Sequence, residues 1–276
     1  MLANIAIFVA GLAAVGTALP TNGTAFHRNG TAHHTNGTVH HTNGTAHHHG
    51  TAHHHGTAFH HHGVAAKRSA IEDKYTYYQG DGSTAAGWPS QDAWGSWDDL
   101  WKANVPLMQK SCVWNGWVGD DSESEIKDIG TAIQSVSKAA GVDPRFVLAI
   151  VMQESKGCVR VPTTNNGVTN PGLMQSHNGA GTCFGLNPCP SSTIKLMISD
   201  GVSGTKDGPG LQSLLSEAKE KTHNNGSQAY YAAARLYNSG SADYSNLDKG
   251  LGSTPCYASD IANRLTGWTL ATSTCH

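Results

Sequence analysis

The stretch Asp143–Gly157, DPRFVLAIVMQESKG, constrains the fold of this chain more than any other. Asp143 followed by Pro144 is typical of a helix start, because an aspartate can cap the first free N–H groups and proline suits the first helical position. Residues 146–152 are then apolar without a break. A helix that is apolar on every side has no face for solvent. We therefore predict a buried central helix that Gly157 can terminate.

Glu154 stands at the end of this apolar run. Burial disfavours the charged form of a carboxyl group, and so does the negative end of the helix dipole. Either effect can raise its pKa toward about 6, a range that suits a general acid at mild pH. The alternative is a helix-end glutamate that swings out into water.

The first eighteen residues have the features of a secretory signal peptide. The apolar stretch over residues 5–18 is too short to span a membrane comfortably, and it closes with the small residues Gly16, Thr17 and Ala18. We predict cleavage after Ala18 and a secreted, extracellular protein.

Residues 19–68 form a low-complexity segment that we interpret as a disordered propeptide. Asn-Gly-Thr recurs every seven residues from Asn22 to Asn43, and fourteen of the seventeen histidines lie between His27 and His62. The repeat lacks the apolar positions of a coiled coil and cannot bury enough surface to fold. Its Asn-Gly-Thr triplets are glycosylation acceptors in a secreted chain. It ends at the dibasic pair 67–68, a processing signal. The alternative is a retained histidine tail that binds metal or responds to pH.

The remaining part, residues 69–276, is long enough for one domain with a sizeable core. All six cysteines lie in it: Cys112, Cys158, Cys183, Cys189, Cys256 and Cys275. An even number in a secreted chain predicts three disulfides, and the sequence leaves all fifteen pairings open, with Cys183–Cys189 as an attractive short loop. Fifteen Lys and Arg stand against twenty Asp and Glu, a net charge of about −5 that argues against nucleic acid as a partner. We expect a monomer with no membrane segment, no metal and no cofactor.

Apolar periodicity predicts a mostly α architecture. Ser122 and Glu125 form a capping-box signature, and the helix that follows them is expected to close at Gly141. Further helices are expected after Ser191 and Ser192, around residues 211–218, from Ser227 to Gly240, and from Thr254-Pro255 to Gly267. No stretch shows strand alternation.

An N-terminal arm over residues 69–110 precedes these helices. Within it, Trp94, Trp97 and Trp101 recur at helical spacing. At this spacing core packing is favoured, and a sugar-stacking platform is the alternative.

Three short motifs occur in order along the chain. Residues 149–155 read A-x-x-x-Q-E-S, residues 172–175 read G-L-M-Q, and residues 234–240 read A-x-x-Y-N-x-G. Together they resemble the soluble lytic transglycosylase and goose-type lysozyme family, and the resemblance covers roughly residues 120–268. It implies a lysozyme-like fold, disulfide-stabilised here, that cleaves β-1,4 bonds between N-acetylmuramic acid and N-acetylglucosamine in peptidoglycan.

The resemblance also implies roles for particular residues. Glu154 would be the catalytic acid and base. The residues implied to bind the saccharide are Ser155, Gly172, Leu173, Met174, Gln175, His177, Tyr237 and Asn238. Met174 and Gln175 would line the groove, and Tyr237 and Asn238 would lie close to Glu154. Without the motifs, Tyr237 is more often a core residue, Asn238 a helix cap and His177 a loop residue.

The acidic residues favour one of the two mechanisms in this family. Residues 155–199 contain no Asp or Glu. Goose-type lysozymes generally place water-positioning aspartates in that interval, whereas a lytic transglycosylase needs a single glutamate and forms a 1,6-anhydro product. The sequence therefore leans toward the second mechanism. Activity on chitin oligosaccharides and a non-catalytic wall-binding protein are the alternatives.

Overall fold

A computed structural model describes residues 71–165 and 167–275. The predicted signal peptide and propeptide lie outside the described residues. The described part is mostly α, as predicted. Its α-helices are α1 (Trp97–Trp114), α2 (Glu123–Ala140), α3 (Pro144–Glu154), α4 (Ser191–Ser203), α5 (Leu211–Thr222), α6 (Ser227–Ser239) and α7 (Tyr257–Thr266). None of these helices is long and apolar enough to cross a membrane.

Helix α3 runs through the core and confirms the prediction made from its sequence. The Asp143 side chain accepts a hydrogen bond from the backbone N–H of Arg145, and Pro144 occupies the first turn. Every residue from Phe146 to Met152 is buried. Helices α1, α2 and α7 pack around it. The helix ends at Glu154, because Ser155 already leaves helical geometry two residues before Gly157.

Helix α2 forms as its signature predicts. Ser122 accepts from the backbone N–H of Glu125 while the Glu125 carboxylate accepts from the backbone N–H of Ser122. Gly141 closes the helix in the left-handed conformation, which glycine adopts without steric cost. The buried stripe of the helix faces α3 and α4.

The later helices keep their predicted positions with two corrected starts. Helix α7 begins at Tyr257, with Cys256 at its N-cap, and not at Thr254-Pro255. Pro190, and not a serine, lies at the N-cap of α4, and no side chain caps this helix. Gly240 and Gly267 end α6 and α7 as predicted. A hairpin of two residues per strand, β1 (Thr164–Asn165) and β2 (Thr169–Asn170), was not predicted, since strands so short leave no alternation to detect.

The cysteines pair as Cys112–Cys158, Cys183–Cys189 and Cys256–Cys275. The suggested short loop is therefore confirmed, and the first and third pairings were not predictable. Asp121 lies against Cys112–Cys158, but sulfurs in a disulfide do not ligate metal as thiolates do. The Asp121 carboxylate instead pairs with Arg160, which also bonds Glu125.

Before α1 the N-terminal arm contains two 3-10 helices, Thr84–Ala86 and Gln91–Ala93, and its first residues lie along α7. The Tyr75 hydroxyl donates to Asp260 over 2.7 Å, and the backbone N–H of Thr76 donates to Asn263 over 2.7 Å. Trp94 precedes α1 and is 1% exposed, so it belongs to the core as predicted. These contacts hold α7, which packs against α3.

Candidate functional site

Glu154 is the last residue of α3 and remains partly exposed. The hydroxyl of Tyr257, the first residue of α7, donates a hydrogen bond to its Oε1. Burial among protein atoms raises the pKa of Glu154 to about 7, and the Tyr257 hydrogen bond opposes that rise. Near neutral pH this carboxyl group is therefore divided between its protonated and charged forms. It reaches solvent from a position where it can both give and take a proton.

Two cations lie within electrostatic range of Glu154. Lys156 adopts a left-handed backbone conformation, with φ of 57°, which directs its Nζ back to the carbonyl of Gln153 over 3.2 Å. Burial, with repulsion from Arg264 added, lowers the pKa of Lys156 to about 7. Lys156 and Arg264 also lower the pKa of Glu154, so they limit the effect of burial on the acid.

Helix α7 is joined to the end of α3 by a polar network. The Gln153 amide donates to Asp260 over 3.1 Å and accepts from Nε of Arg264 over 2.7 Å. Asp260 is 8% exposed, and its second oxygen accepts from Tyr75. Arg264 in turn lies over the ring of Trp268, 4.4 Å from its centroid. The network holds α7 in register with Glu154, and both oxygens of Asp260 are engaged.

The G-L-M-Q loop is held by its backbone and by buried side chains. Gly172 has φ of 72°, and a Cβ there would lie 2.5 Å from the carbonyl oxygen of Gly181. Leu173 and Met174 are fully buried, and the Met174 side chain packs on Gly201 of α4. The Met174 side chain therefore belongs to the core and does not line a groove.

Gln175 and Tyr237 tie this loop to its surroundings. Gln175 accepts from the Thr164 hydroxyl over 2.9 Å and donates to the carbonyl of Gly172 over 3.0 Å. The Tyr237 hydroxyl donates to the carbonyl of Met174 over 2.8 Å. Burial raises the pKa of Tyr237, and the charge of Glu154 raises it further. Tyr237 therefore contacts the loop and lies within electrostatic range of Glu154.

The other residues named from sequence have partners elsewhere. Asn238 accepts from the Arg235 guanidinium, which also bonds the carbonyls of Thr254 and Pro255. The Ser155 hydroxyl is fully buried and donates to the Val151 carbonyl within the last turn of α3. These two side chains hold the helix ends that carry the site.

His177 is exposed, and its backbone carbonyl accepts from Thr205 over 2.7 Å. The described contacts do not join its imidazole to Glu154. Its position is that of a loop histidine beyond the G-L-M-Q turn.

Tyr257, Asp260 and Arg264 were not singled out from the sequence. They recur at i, i+3 and i+7, so they share one face of α7. All three are buried despite being polar, because they face the end of α3 and not solvent. The recurrence of three polar residues on one face of α7 was the available signal, but nothing in it specified Glu154 as the partner.

Comparison with models of known protein families finds no match. Comparison with curated proteins finds no similar sequence.

Proposed function

We propose that this protein is a secreted glycosidase that cleaves β-1,4 bonds between N-acetylmuramic acid and N-acetylglucosamine in peptidoglycan, on a lysozyme-like fold. The observation that carries the proposal is Glu154, a partly exposed carboxyl group with a pKa of about 7 under the hydroxyl of a buried tyrosine. An acid with such a pKa is protonated often enough at neutral pH to protonate a glycosidic oxygen. The three sequence motifs supply the substrate class.

The reaction needs one carboxyl group in two successive roles. Glu154 gives its proton to the glycosidic oxygen while the bond from C1 to that oxygen breaks, which leaves positive charge at C1. The resulting carboxylate then accepts the proton of the muramic acid 6-hydroxyl as that oxygen attacks C1. The product is a 1,6-anhydro sugar, and Glu154 ends protonated, as it began.

The surroundings of Glu154 favour this course over hydrolysis with two carboxylates. Hydrolysis of a glycoside generally uses a second carboxylate as nucleophile or as base for water. Asp260 is the acidic side chain that is hydrogen-bonded to the same end of α3. One of its oxygens accepts from Gln153 and the other from Tyr75. A carboxylate engaged in this way is poorly placed to activate water.

Gln175 is the member of the loop over residues 172–175 that would meet the saccharide at this edge of the site. Gly172, Leu173 and Met174 are buried, and the carbonyls of Gly172 and Met174 already accept hydrogen bonds from Gln175 and Tyr237. Tyr237 would hold this edge in place through the carbonyl of Met174.

Analysis of the products from purified bacterial walls tests the proposal. We expect muropeptides that end in 1,6-anhydro-muramic acid, detected by mass 18 units below the hydrated form. Products with normal reducing ends would mean that the enzyme hydrolyses the bond and does not form the anhydro sugar. Release of nothing from walls, with cleavage of colloidal chitin, would move the substrate to N-acetylglucosamine polymers.

Processing belongs to the same proposal. A secreted enzyme whose propeptide ends at Arg68 should start at Ser69. Mass spectrometry of the protein from the culture medium should find that N-terminus. A chain that retains the histidine-rich segment would instead support the metal-binding or pH-responsive tail.

A further inference from the structure

Two tryptophans form a stacked pair on the surface between α1 and α2. The rings of Trp97 and Trp101 lie at 15° with centroids 5.5 Å apart, and both side chains are partly exposed. Trp101 packs over Gly130 of α2, where a Cβ would lie 2.9 Å from its ring. Glycine at this position therefore lets the indole lie flat on the helix. The pair is neither core, like Trp94, nor free in solvent.

The pair borders a surface depression with a volume of about 370 Å³. Its polar lining consists of Glu123, Lys127, Thr131 and Gln134. A second depression of about 790 Å³ adjoins it and shares Trp97 and Gln134. Trp97 and Gln134 thus stand at the boundary of one two-lobed surface, which we name the indole groove.

The chemistry of the indole groove suits an uncharged polyhydroxyl ligand. An aromatic face carries partial negative charge and attracts the C–H groups on one side of a pyranose ring. The Gln134 amide can donate to one hydroxyl and accept from another. Glu123 and Lys127 have opposite charges, so this lobe offers no net charge to an anion or a cation. A volume of several hundred Å³ holds a few sugar rings.

The indole groove is separate from Glu154. It reaches Val142 and Pro144, at the beginning of α3, whereas Glu154 ends that helix. Ten residues of α-helix span about 15 Å. A ligand in the groove therefore does not occupy the reactive carboxyl group, and one glycan strand is long enough to reach both places.

We propose that the indole groove is a second glycan-binding site, which holds the N-acetylglucosamine-containing polymer by stacking a pyranose ring on Trp97, the indole that Trp101 supports from beneath. The choice of this ligand rests on the proposed function. Such a site would keep the enzyme on an insoluble wall between cleavage events. Because avidity from two linked sites exceeds the affinity of either, modest binding at the groove is sufficient.

The test uses a hexamer of β-1,4-linked N-acetylglucosamine as probe on the Glu154→Gln protein, so that binding is measured without cleavage. The indole N–H signals are followed by NMR and assigned with Trp97→Phe and Trp101→Phe. We expect saturable shifts for Trp97 and Trp101, and none for Trp114, which lies on the same helix and is 58% exposed. Absence of shifts at these two indoles at millimolar hexamer overturns the proposal, as does a response to apolar peptides in place of the hexamer.

Sedimentation with insoluble walls provides the matched comparison. Trp97→Ala should weaken wall binding roughly threefold to tenfold, the loss expected for one aromatic stacking contact. Gln134→Ala, a smaller change at an exposed side chain, should weaken it less, and Trp114→Ala should not change it. Equal binding by Trp97→Ala and Trp114→Ala, with unchanged thermal unfolding, contradicts the proposal. Shifted indoles in a protein whose unsubstituted form cleaves neither walls nor colloidal chitin would support the groove and refute the glycosidase function.

Discussion

At the scale of single residues, the site depends on how one carboxyl group is shielded. Glu154 lies where an apolar helix ends, and burial raises its pKa more than Tyr257, Lys156 and Arg264 lower it. The sequence predicted a buried helix, because residues 146–152 leave it no polar face, but it left open whether the Glu154 side chain points into water. It did not predict Tyr257, which comes 103 residues later. Contacts across such separations are set by packing, which local patterns do not encode.

Tyr257→Phe should alter the pH dependence of catalysis. The tyrosine hydrogen bond stabilises the charged form of Glu154, so its loss should move the pKa of Glu154 above about 7. The alkaline limb of the rate profile should therefore move to higher pH. The maximal rate should fall about tenfold, because one positioning hydrogen bond is lost. Rates of wall clearing between pH 4 and 10 measure both. Tyr244→Phe serves as the control, because it removes a hydroxyl that contacts Glu217 and not Glu154. A pH profile unchanged by Tyr257→Phe would show that Tyr257 does not affect the pKa of Glu154.

Glu154→Gln should stabilise the protein in a pH-dependent way. The folded state raises the pKa of Glu154 from 4.5 to about 7, so burial of the charged form costs stability above pH 7. The cost decreases as the pH falls below 7, because the buried group takes up its proton, and it is absent below pH 4.5. The variant should therefore unfold at higher temperature than the parent at pH 8, with the difference vanishing near pH 4. A difference that is constant across this range would show an ordinary carboxyl pKa.

At the scale of elements, helices were predictable and their mutual contacts were not. The capping box of α2, the Asp-Pro start of α3 and the closing glycines are local signals that act within a few residues. The N-cap of α4, Pro190, was not predicted, because two serines offered a cap that the chain does not use. The G-L-M-Q motif forms a loop that Tyr237 contacts, and the side chain of Met174, expected to line a groove, is buried in the core.

Gly172→Ala should test how tightly the loop is packed. The positive φ alone costs an alanine about 1 to 2 kcal/mol of unfolding free energy. At Gly172 the new Cβ would also meet the Gly181 carbonyl at 2.5 Å and Met197 at 2.7 Å, which we expect to add about 1 to 3 kcal/mol. Gly87→Ala is the matched control, since it has φ of 88° and open space around it. Denaturant unfolding compares the two variants, and equal losses would mean that the loop can relax.

Tyr75→Phe should test whether the arm anchors α7. Its hydroxyl bonds Asp260, a mostly buried carboxyl group whose other described partner is Gln153. Loss of this bond should lower the free energy of unfolding by about 1 to 2 kcal/mol. Tyr77→Phe, on the same arm and 40% exposed, should have almost no effect. Similar stability of the two variants in urea would mean that the arm does not hold the helix.

At the scale of the whole molecule, the sequence indicated one helical domain with three disulfides, and the described residues form that. Other features depend on how segments distant in the sequence meet. These are two of the disulfide pairings, the network of Gln153, Asp260 and Arg264, and the indole groove. Trp97 and Trp101 illustrate the limit: helical spacing favoured core packing, yet only Trp94 is fully enclosed. Spacing specifies which side chains share a face, while neighbouring helices decide whether that face is covered.

The central claim is that Glu154 supplies the proton that breaks the glycosidic bond. The most direct measurement compares wall clearing by Glu154→Gln with that by Glu220→Gln, which makes the same exchange at an exposed position on α5. The account predicts a loss of about 1,000-fold for Glu154→Gln, within the range for removal of a general acid, and no loss for Glu220→Gln. Wall clearing that survives in Glu154→Gln, in a protein that remains folded, would contradict it.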